Sequence, residues 1–430
     1  MKKILASLLA VCMLFALCAC GSTVDLSGIE ASLSDIESQV SALAGGEAAA
    51  PAEEAAEEPA EEAAPAGETA GTVVIGVYEP QSGDNGAGGK QEILGMQYAN
   101  AVAPTVEIGG EVYEVELVVA DNESSNDKAV SAATKLISAG ASIVLGSYGS
   151  GVSMAAADTF AEAGIPAVGV SCTNALVTDN DIYFLICFID PDQGTIDANL
   201  LASMGYTNVY CLAMLGEDYG QGLVNYFVKA ADELGITVTT DSFPEGNSDF
   251  TSYLTNAKNA GAEAIFAPCS TGYAQQIIAQ AASMGYDVPL VAGDTWDSGV
   301  ISEAAVEAGG ANPIYCSTFY ADGADPEFEA GIKEWINSDP TNLSNNGDTD
   351  ELSAVTVLGY DAYFVALEAL KAAGSTDPQA VLEALPGVSY TGITGEIYFK
   401  ESGDADRHDA FIKTFDLESG SLVYYDLFSF

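Results

Sequence analysis

The stretch ASIVLGSYGSGVSMAAADTFAEAGIPAVGVSCT, residues 141–173, contains two short apolar runs, and each run ends in small polar residues. Ile143 to Leu145 leads into a glycine- and serine-rich loop and then a helical pattern from Val152 to Ala163. Ala167 to Val170 ends similarly, at Ser171-Cys172-Thr173. A strand, such a loop and a helix start present N–H groups and hydroxyls at the positive end of a helix dipole, which favours an anion. The stretch therefore predicts either one anion cradle on two neighbouring parallel strands or two ordinary turns of an α/β protein.

Strand-like and helical patterns alternate on both sides of this stretch. Before it, the patterns are Val73 to Tyr78, Gln91 to Ala103, Val115 to Ala120 and Asp127 to Ala139. After it, they are Val209 to Leu215, Gln221 to Leu234, Thr237 to Phe243, Phe250 to Ala260, Ala264 to Pro268, Ala274 to Met284, Pro289 to Ala292, Leu352 to Ala373, Pro378 to Leu385, Ile397 to Lys400 and Phe411 to Asp416. This order predicts an α/β fold of two doubly wound, Rossmann-like lobes. Ligands of such folds bind at the carboxyl ends of strands, so we expect the site in a cleft between the lobes.

The charge of the chain limits its partners. Its 430 residues carry a formal net charge of -51, with 12 Lys and Arg against 63 Asp and Glu. A chain this acidic, without a basic patch, is not expected to bind nucleic acid.

The amino terminus has the zones of an export signal. Lys2-Lys3 precede an apolar run from Ile4 to Leu17, which is too short for a spanning helix. The signal resembles that of bacterial lipoproteins, with residues 1–19 as the signal peptide and Leu17 to Cys20 as the lipobox. That resemblance implies that Cys20 is acylated and that the mature protein is anchored to the outer face of the membrane. A plain secretory peptide is the alternative.

Residues 20–46 form a short amphipathic segment with apolar residues at spacings of three and four, which is the seam of a coiled coil. The alternative is a marginal helix that frays unless it self-associates. Residues 47–71 form a linker rich in Ala, Glu and Pro, which cannot bury a core and is expected to be extended and disordered.

Several chemical motifs fail on close inspection. The stretch from Gly83 to Gln91 lacks the glycine and hydroxyl positions of a phosphate-binding loop. Residues 342–353 lack the opening Asp and closing Glu of a calcium loop. His408 is the single histidine, and no serine elbow accompanies it. We therefore expect no enzyme activity, no cofactor and no metal.

The cysteines give no site either. Five lie outside the signal, an odd number, and no C-x-x-C pair occurs. All five lie in or beside apolar runs, so we expect free, buried side chains: Cys172, Cys187, Cys211, Cys269 and Cys316.

Taken together, several anchors resemble the leucine/isoleucine/valine-type substrate-binding proteins of ABC transporters, over Thr72 to about Asp416. These anchors are Ser82-Gly83, Gly146 with Ser150, Gly164-Ile165-Pro166, Asp190 with Gln193-Gly194, Asp218 to Gly222, Gly359 to Ala362, and Gly395 with Phe399 and Gly403-Asp404. The resemblance implies the type I periplasmic-binding-protein fold, whose two lobes are joined by three crossovers. It places the crossovers near Phe188 to Gln193, Ser317 to Ala321 and Gly395 to Phe399. Lobe 1 would then comprise residues 72–190 and 320–395, and lobe 2 residues 191–319 and 396–430.

The same resemblance implies a set of ligand contacts. Ser150, Ser171 and Thr173 fall where the family holds the α-carboxylate and part of the α-ammonium of an amino acid. Asp294 falls where it has a carboxylate for the ammonium, and Tyr219 where it has a tyrosine from the second lobe. The alternatives are a helix N-cap for Asp294 and a packed loop aromatic for Tyr219.

Two departures from the family concern the side-chain pocket. Gly88 stands where an aromatic residue often closes that pocket, and Ser270 stands where a tyrosine often lines it. Together they predict a roomier, more polar pocket that binds branched-chain amino acids weakly. Alternatively, Gly88 supplies a positive φ in a turn while a neighbouring residue fills the gap. The frequent cysteine pair is also missing, because Gly149 occupies one of its positions.

These expectations combine into a lipid-anchored extracellular receptor that captures an amino acid, or a related small polar solute, for an ABC permease in the membrane. One alternative is a sugar, nucleoside or amide receptor of the same fold, in which Tyr148, Tyr273 and Trp296 stack on a ring. Another is a surface sensor or adhesion domain that binds a partner without serving transport.

Overall fold

The computed structural model describes residues 69–430. The predicted signal peptide, the lipidation site Cys20, the stalk and all but the last residues of the linker lie outside the described residues. No helix among residues 69–430 combines the length and apolar character that a membrane span requires.

Lobe 1 is built on a six-stranded sheet of order β2-β3-β1-β4-β5-β6. Its strands are Gly71–Glu79 (β1), Thr105–Ile108 (β2), Glu111–Asp121 (β3), Ile143–Leu145 (β4), Ala167–Gly169 (β5) and Tyr183–Leu185 (β6). All neighbours pair in parallel except β2 and β3, which form an antiparallel hairpin. The sequence patterns missed β2, because this edge strand is only four residues long.

Helices cover lobe 1, and some of them come from the distant carboxyl-terminal part of the chain. They are Gly86–Val102 (α1), Asn126–Ser138 (α2), Ser150–Ala163 (α3), Pro326–Ser338 (α9), Pro340–Asn345 (α10), Ala354–Ala373 (α11) and Pro378–Ala384 (α12). Helices α1 and α11 approach closely at Gly359, where an added Cβ would lie 3.0 Å from the backbone carbon of Glu92. The glycine-rich residues predicted to form a loop before Gln91 are instead the first turns of α1.

Lobe 2 is built on a seven-stranded sheet of order β15-β14-β11-β10-β9-β7-β8. Its strands are Asn208–Met214 (β7), Thr237–Phe243 (β8), Ala264–Phe266 (β9), Leu290–Ala292 (β10), Ile314–Thr318 (β11), Asp409–Asp416 (β14) and Ser421–Ser429 (β15). Its helices are Asp190–Ser203 (α4), Asp218–Leu234 (α5), Thr251–Asn259 (α6), Thr271–Ser283 (α7) and Gly299–Glu307 (α8). Strands β7 to β11 are parallel, whereas β14 and β15 pair antiparallel at one edge. The fold is therefore the predicted pair of doubly wound lobes.

The chain passes between the lobes three times: between β6 and α4, after β11, and before β14. The predicted position of the third crossover, Gly395 to Phe399, is wrong. Gly395–Tyr398 is a strand (β13) that pairs with Ser389–Gly392 (β12) in a separate hairpin, and the chain joins the second sheet only at Asp409. The local strand pattern was correct, but its partner is the preceding segment.

One arginine ties the crossovers together. Arg407, on the third crossover, donates from Nε to the carbonyl of Ile186 (2.9 Å) and from Nη1 to the carbonyl of Thr394 (2.6 Å). Phe188 on the first crossover packs against Phe319 on the second, with ring centroids 4.2 Å apart. The hinge between the lobes is thus a packed and hydrogen-bonded unit.

Candidate functional site

A cleft of about 390 Å³ lies between the lobes, at the carboxyl ends of strands from both sheets. Tyr219 and Ser270 both line it, as does the loop around Gly149. Its mouth is acidic, with Asp84, Glu123, Asp127, Glu217, Asp218 and Glu245 among the lining residues. The structure thus has the cleft that the sequence predicted, with a lining that attracts cations.

The two lobes touch across this cleft through side chains. The Tyr273 hydroxyl donates to Asp84 Oδ2 at 2.7 Å, and Asn174 Nδ2 donates to the carbonyl of Asp218 at 2.9 Å. Deeper inside, Gln91 Nε2 donates to Ser298 Oγ at 3.3 Å. Of the predicted ligand residues, Tyr219 and Ser270 line this cleft, whereas Ser150, Ser171, Thr173 and Asp294 are buried and are not among its lining residues.

The residues predicted to form an anion cradle lie at the loops that follow β4 and β5. Ser150 is the first residue of α3, and its Oγ accepts from the backbone N–H of Asn174 at 3.3 Å. That bond leaves the Ser150 hydroxyl hydrogen available to donate, and a hydroxyl donor at a helix N-terminus suits a carboxylate. The Thr173 hydroxyl is fully buried beside Asp190; burial raises the pKa of Asp190 well above its usual range, and a hydrogen bond from Thr173 lowers it.

Ser171 behaves differently from these two hydroxyls, because its hydrogen is already committed. Its hydroxyl donates to Glu92 Oε1, on α1. The Ser171 oxygen therefore has only lone pairs left to offer a ligand, which suits an ammonium rather than a carboxylate.

Glu92 has a second buried carboxyl group beside it, Glu79 at the end of β1. Both side chains are 0% exposed. Glu79 Oε2 accepts from the backbone N–H of Tyr148 at 2.6 Å. Burial raises the pKa of Glu79 well above its usual range, and the neighbouring Glu92 raises it further. Burial raises the pKa of Glu92 to about 7, while hydrogen bonds from Glu79 and Ser171 lower it. Of the two carboxyls, Glu79 therefore holds a proton more tightly than Glu92.

Sequence reasoning missed this pair. A signal was present, because Glu79 is a charged residue at the end of an otherwise apolar strand that includes Ile75 and Val77. A carboxyl at such a position is buried, and buried carboxyls need a partner.

Asp294 opens a short 3-10 turn after β10 and is 2% exposed. Its Oδ1 accepts from Gln193 Nε2 at 3.0 Å and from the Tyr219 hydroxyl at 3.4 Å. Burial raises the pKa of Asp294 to about 7, although these two hydrogen bonds lower it. The alternative role as a helix N-cap is wrong, because Ser298 caps α8 by accepting from Val300 N.

The space predicted beside Gly88 does not exist. Gly88 lies inside helix α1 without a positive φ, and a Cβ added there would overlap the ring of Tyr148. A neighbouring residue therefore fills the gap, as one alternative proposed, but the positive φ of that alternative is absent. Ser270 remains at the cleft, where its hydroxyl has no hydrogen-bond partner among the described residues.

Charge compensation inside the site is incomplete. Lys413, 1% exposed, is engaged by Asp297 (3.0 Å) and Asp322 (3.3 Å). None of the salt bridges within the described part of the chain involves Glu92 or Asp294. Glu92 and Asp294 thus have no salt bridge to a protein cation among the described residues, and a cationic group on a ligand would neutralise their negative charge.

Two doubly wound lobes, three crossovers and a polar cleft between the lobes define a bilobal solute-binding protein. The chain belongs to the periplasmic binding protein family, whose model matches residues 72–416. It is a substrate-binding protein of the ABC-transporter type.

Relatives agree with this assignment. The chain is 28% identical to Leu/Ile/Val-binding protein homolog 1 of Brucella abortus, over 77% of this chain and 87% of the relative. The crystal structure of the leucine-binding protein LivK of Thermotoga maritima is 29% identical, with a TM-score of 0.73, covering 83% of this chain and 99% of LivK. The substrate-binding protein LivJ of Streptococcus pneumoniae, in complex with isoleucine, is 25% identical, with a TM-score of 0.70, covering 82% of this chain and all of LivJ.

Proposed function

We propose that this protein captures an amino acid in its zwitterionic form between the two lobes. The observation that carries the proposal is the polarity of the buried residues next to the cleft. Ser150 has a hydroxyl hydrogen to offer a carboxylate, while the Asp294 carboxyl and the lone pairs of Ser171 suit an ammonium. A ligand with a carboxylate beside an ammonium matches both sides.

The same polarity weighs against the alternatives. A sugar, nucleoside or amide brings no charge to neutralise Asp294, and a simple carboxylic acid such as benzoate would be repelled by it. Of the three aromatic residues considered for ring stacking, Trp296 is fully buried and Tyr273 is engaged with Asp84.

The proposal extends to transport. Membership of an importer-associated family supports delivery of the bound amino acid to an ABC permease. The lipobox from Leu17 to Cys20 supports attachment to the outer face of the membrane through acylated Cys20, with residues 47–71 as a passive tether. A sensor that binds without feeding transport is the alternative to be tested.

A thermal-shift panel of amino acids, sugars, nucleosides and benzoate tests the ligand class. A ligand at about 100 times its dissociation constant stabilises the folded protein by about 2.7 kcal/mol, which is a readily measured shift. We expect a shift with at least one amino acid and none with benzoate. Shifts confined to uncharged ligands or to benzoate would refute the proposal. Uptake of the identified ligand by cells with and without this protein then separates transport from sensing.

A further inference from the structure

Ser150 and Ser171 differ in what their hydroxyl hydrogens do, and Glu92 is the cause. Ser150 accepts from Asn174 and so keeps its hydrogen for a ligand. Ser171 gives its hydrogen to Glu92. Without a carboxyl group at residue 92, the Ser171 hydroxyl could rotate and donate to a ligand as Ser150 can.

Glu92 is held in this position by its buried neighbour, Glu79. Glu79 Oε2 is occupied by Tyr148 N, and Glu92 Oε1 by the Ser171 hydroxyl. The remaining oxygens, Glu79 Oε1 and Glu92 Oε2, are buried and have no other partner among the described residues. A proton shared between these two oxygens satisfies both, and Glu92 keeps its other oxygen for the Ser171 hydroxyl.

We propose that Glu92 is a positioning residue for the ligand: it fixes Ser171 as a hydrogen-bond acceptor, so that Ser171 and Asp294 together select a primary ammonium group. This inference rests on the proposed function, because it assigns the ammonium half of the same site. It predicts discrimination between an amino acid and the 2-hydroxy acid of the same skeleton, since a hydroxyl brings one hydrogen and no charge where an ammonium brings three hydrogens and a charge.

Each neighbouring element contributes to the environment of Glu92. Glu79 comes from β1, Tyr148 from the loop after β4, Ser171 and Cys172 from the loop after β5, and Asp294 from the turn after β10. Cys187, at the first crossover, is also within range. None of these groups is a cation, so the ligand supplies the positive charge.

The proposal has a pH signature. In the free protein the pKa of Glu92 is raised to about 7 by burial. An ammonium stabilises the ionised form of Glu92, so binding favours loss of a proton, and affinity falls as the pH drops through 7. The pKa of Asp294 is also raised to about 7, so the profile of the unmodified protein combines both groups. A Glu92 variant is needed to separate them.

The experiment is calorimetric titration of the full chain with the amino acid identified in the panel and with its 2-hydroxy acid analogue, from about pH 5.5 to 8.5 around the raised pKa values. The variants are Glu92→Gln and Ser171→Ala. Glu351→Gln is the matched control, because Glu351 is another largely buried glutamate that accepts from a serine hydroxyl, Ser302 at 2.8 Å, but its hydrogen-bond partners include no predicted ligand residue.

We expect Glu92→Gln and Ser171→Ala each to weaken the amino acid by about tenfold or more at the alkaline end, which is the usual effect of losing a hydrogen bond to a charged group. Affinity for the 2-hydroxy acid should fall less in both variants. Glu92→Gln should also release fewer protons on binding and give a flatter pH profile, whereas Glu351→Gln should leave both unchanged.

If Glu92→Gln leaves unchanged both the ratio of affinities for the amino acid and its 2-hydroxy acid analogue and the pH dependence of binding, the inference is overturned while the proposed function remains intact. If Glu92→Gln does not fold, Ser171→Ala decides the matter by the same ratio. If the unmodified protein binds no amino acid at all, the proposed function itself fails, and that result is visible before any variant is made.

Discussion

The ring of Tyr148 occupies the space that a side chain at residue 88 would take. A Cβ built on Gly88 would lie 2.8 Å from Tyr148 Cδ2 and still closer to two other ring carbons. Tyr148 is 8% exposed and lies near the carboxylates of Asp294 and Glu92. An aromatic ring from the loop after β4 therefore fills the space beside helix α1 at Gly88.

Gly88→Ala should force Tyr148 out of its position. Overpacking of this kind destabilises a fold by about 1–3 kcal/mol. We expect that loss in chemical denaturation, together with weaker ligand binding. In a Tyr148→Ala background the same substitution should lose most of its effect, because the ring that it strikes is gone.

Gly272→Ala is the matched control. Gly272 also lies near the start of a helix, α7, but an added Cβ there meets nothing within 4 Å. We expect a neutral change or a stabilisation of up to about 1 kcal/mol, which is the usual gain from Gly to Ala in a helix. Equal destabilisation by both substitutions would show that the Tyr148 contact is not the cause.

The strands of the site and the small polar residues that follow them could be predicted from the sequence, because these features depend on neighbouring residues alone. The apolar run from Ile143 to Leu145 and the small residues after it specify a strand and a helix start without reference to the rest of the chain. The carboxyl edge of a parallel sheet then brings Ser150, Ser171 and Thr173 to one place.

Contacts between distant segments were not predictable in this way. The Glu79–Glu92 pair depends on β1 and α1 both facing the loop after β5, and the contact of Gly88 with Tyr148 joins residues sixty positions apart. The third crossover was predicted too early in the chain because the strand pattern around Ile397 fits either lobe. Only its pairing with Tyr390 shows that it belongs to the hairpin.

Asp294→Asn should weaken an amino-acid ligand far more than the 2-hydroxy acid of the same skeleton, which lacks the ammonium. Removing one partner of a buried charge pair typically costs about 2–5 kcal/mol, so we expect roughly a 30-fold loss or more. Asn preserves the shape of the side chain and can still accept from Gln193 and Tyr219. Calorimetry with the amino acid and with its hydroxy acid analogue measures the difference. Equal losses for both would remove Asp294 from ammonium recognition.

Cys20→Ala should abolish membrane attachment by the lipoprotein route, because the acylated thiol is gone. Fractionation after metabolic labelling with a fatty acid measures both retention and acylation. Cys18→Ala is a suitable control, since it changes a cysteine two positions away and leaves the proposed acylation site in place. Retention of unacylated Cys20→Ala in the membrane fraction would show that another segment anchors the chain.

Tyr273→Phe should make closure of the lobes less favourable while leaving each lobe folded. The lost hydroxyl donates to Asp84 across the cleft at 2.7 Å and accepts from Gly246 N at 3.0 Å. Since this contact is partly buried and water can replace it, we expect a loss of about 1 kcal/mol, or roughly a fivefold weaker ligand affinity. Apparent affinity falls in proportion to the population of the competent closed form.

Tyr286→Phe is the control that separates an effect on lobe closure from an effect on stability. Tyr286 is 6% exposed against 7% for Tyr273, but its hydroxyl donates to the carbonyl of Ala262 within lobe 2. Its loss should lower the free energy of unfolding without changing the distance between the lobes. Paired fluorophores on the two lobes should report a more open ligand-free state for Tyr273→Phe alone. If both variants weaken binding equally and neither opens, the Tyr273–Asp84 bond is a surface contact without influence on the hinge.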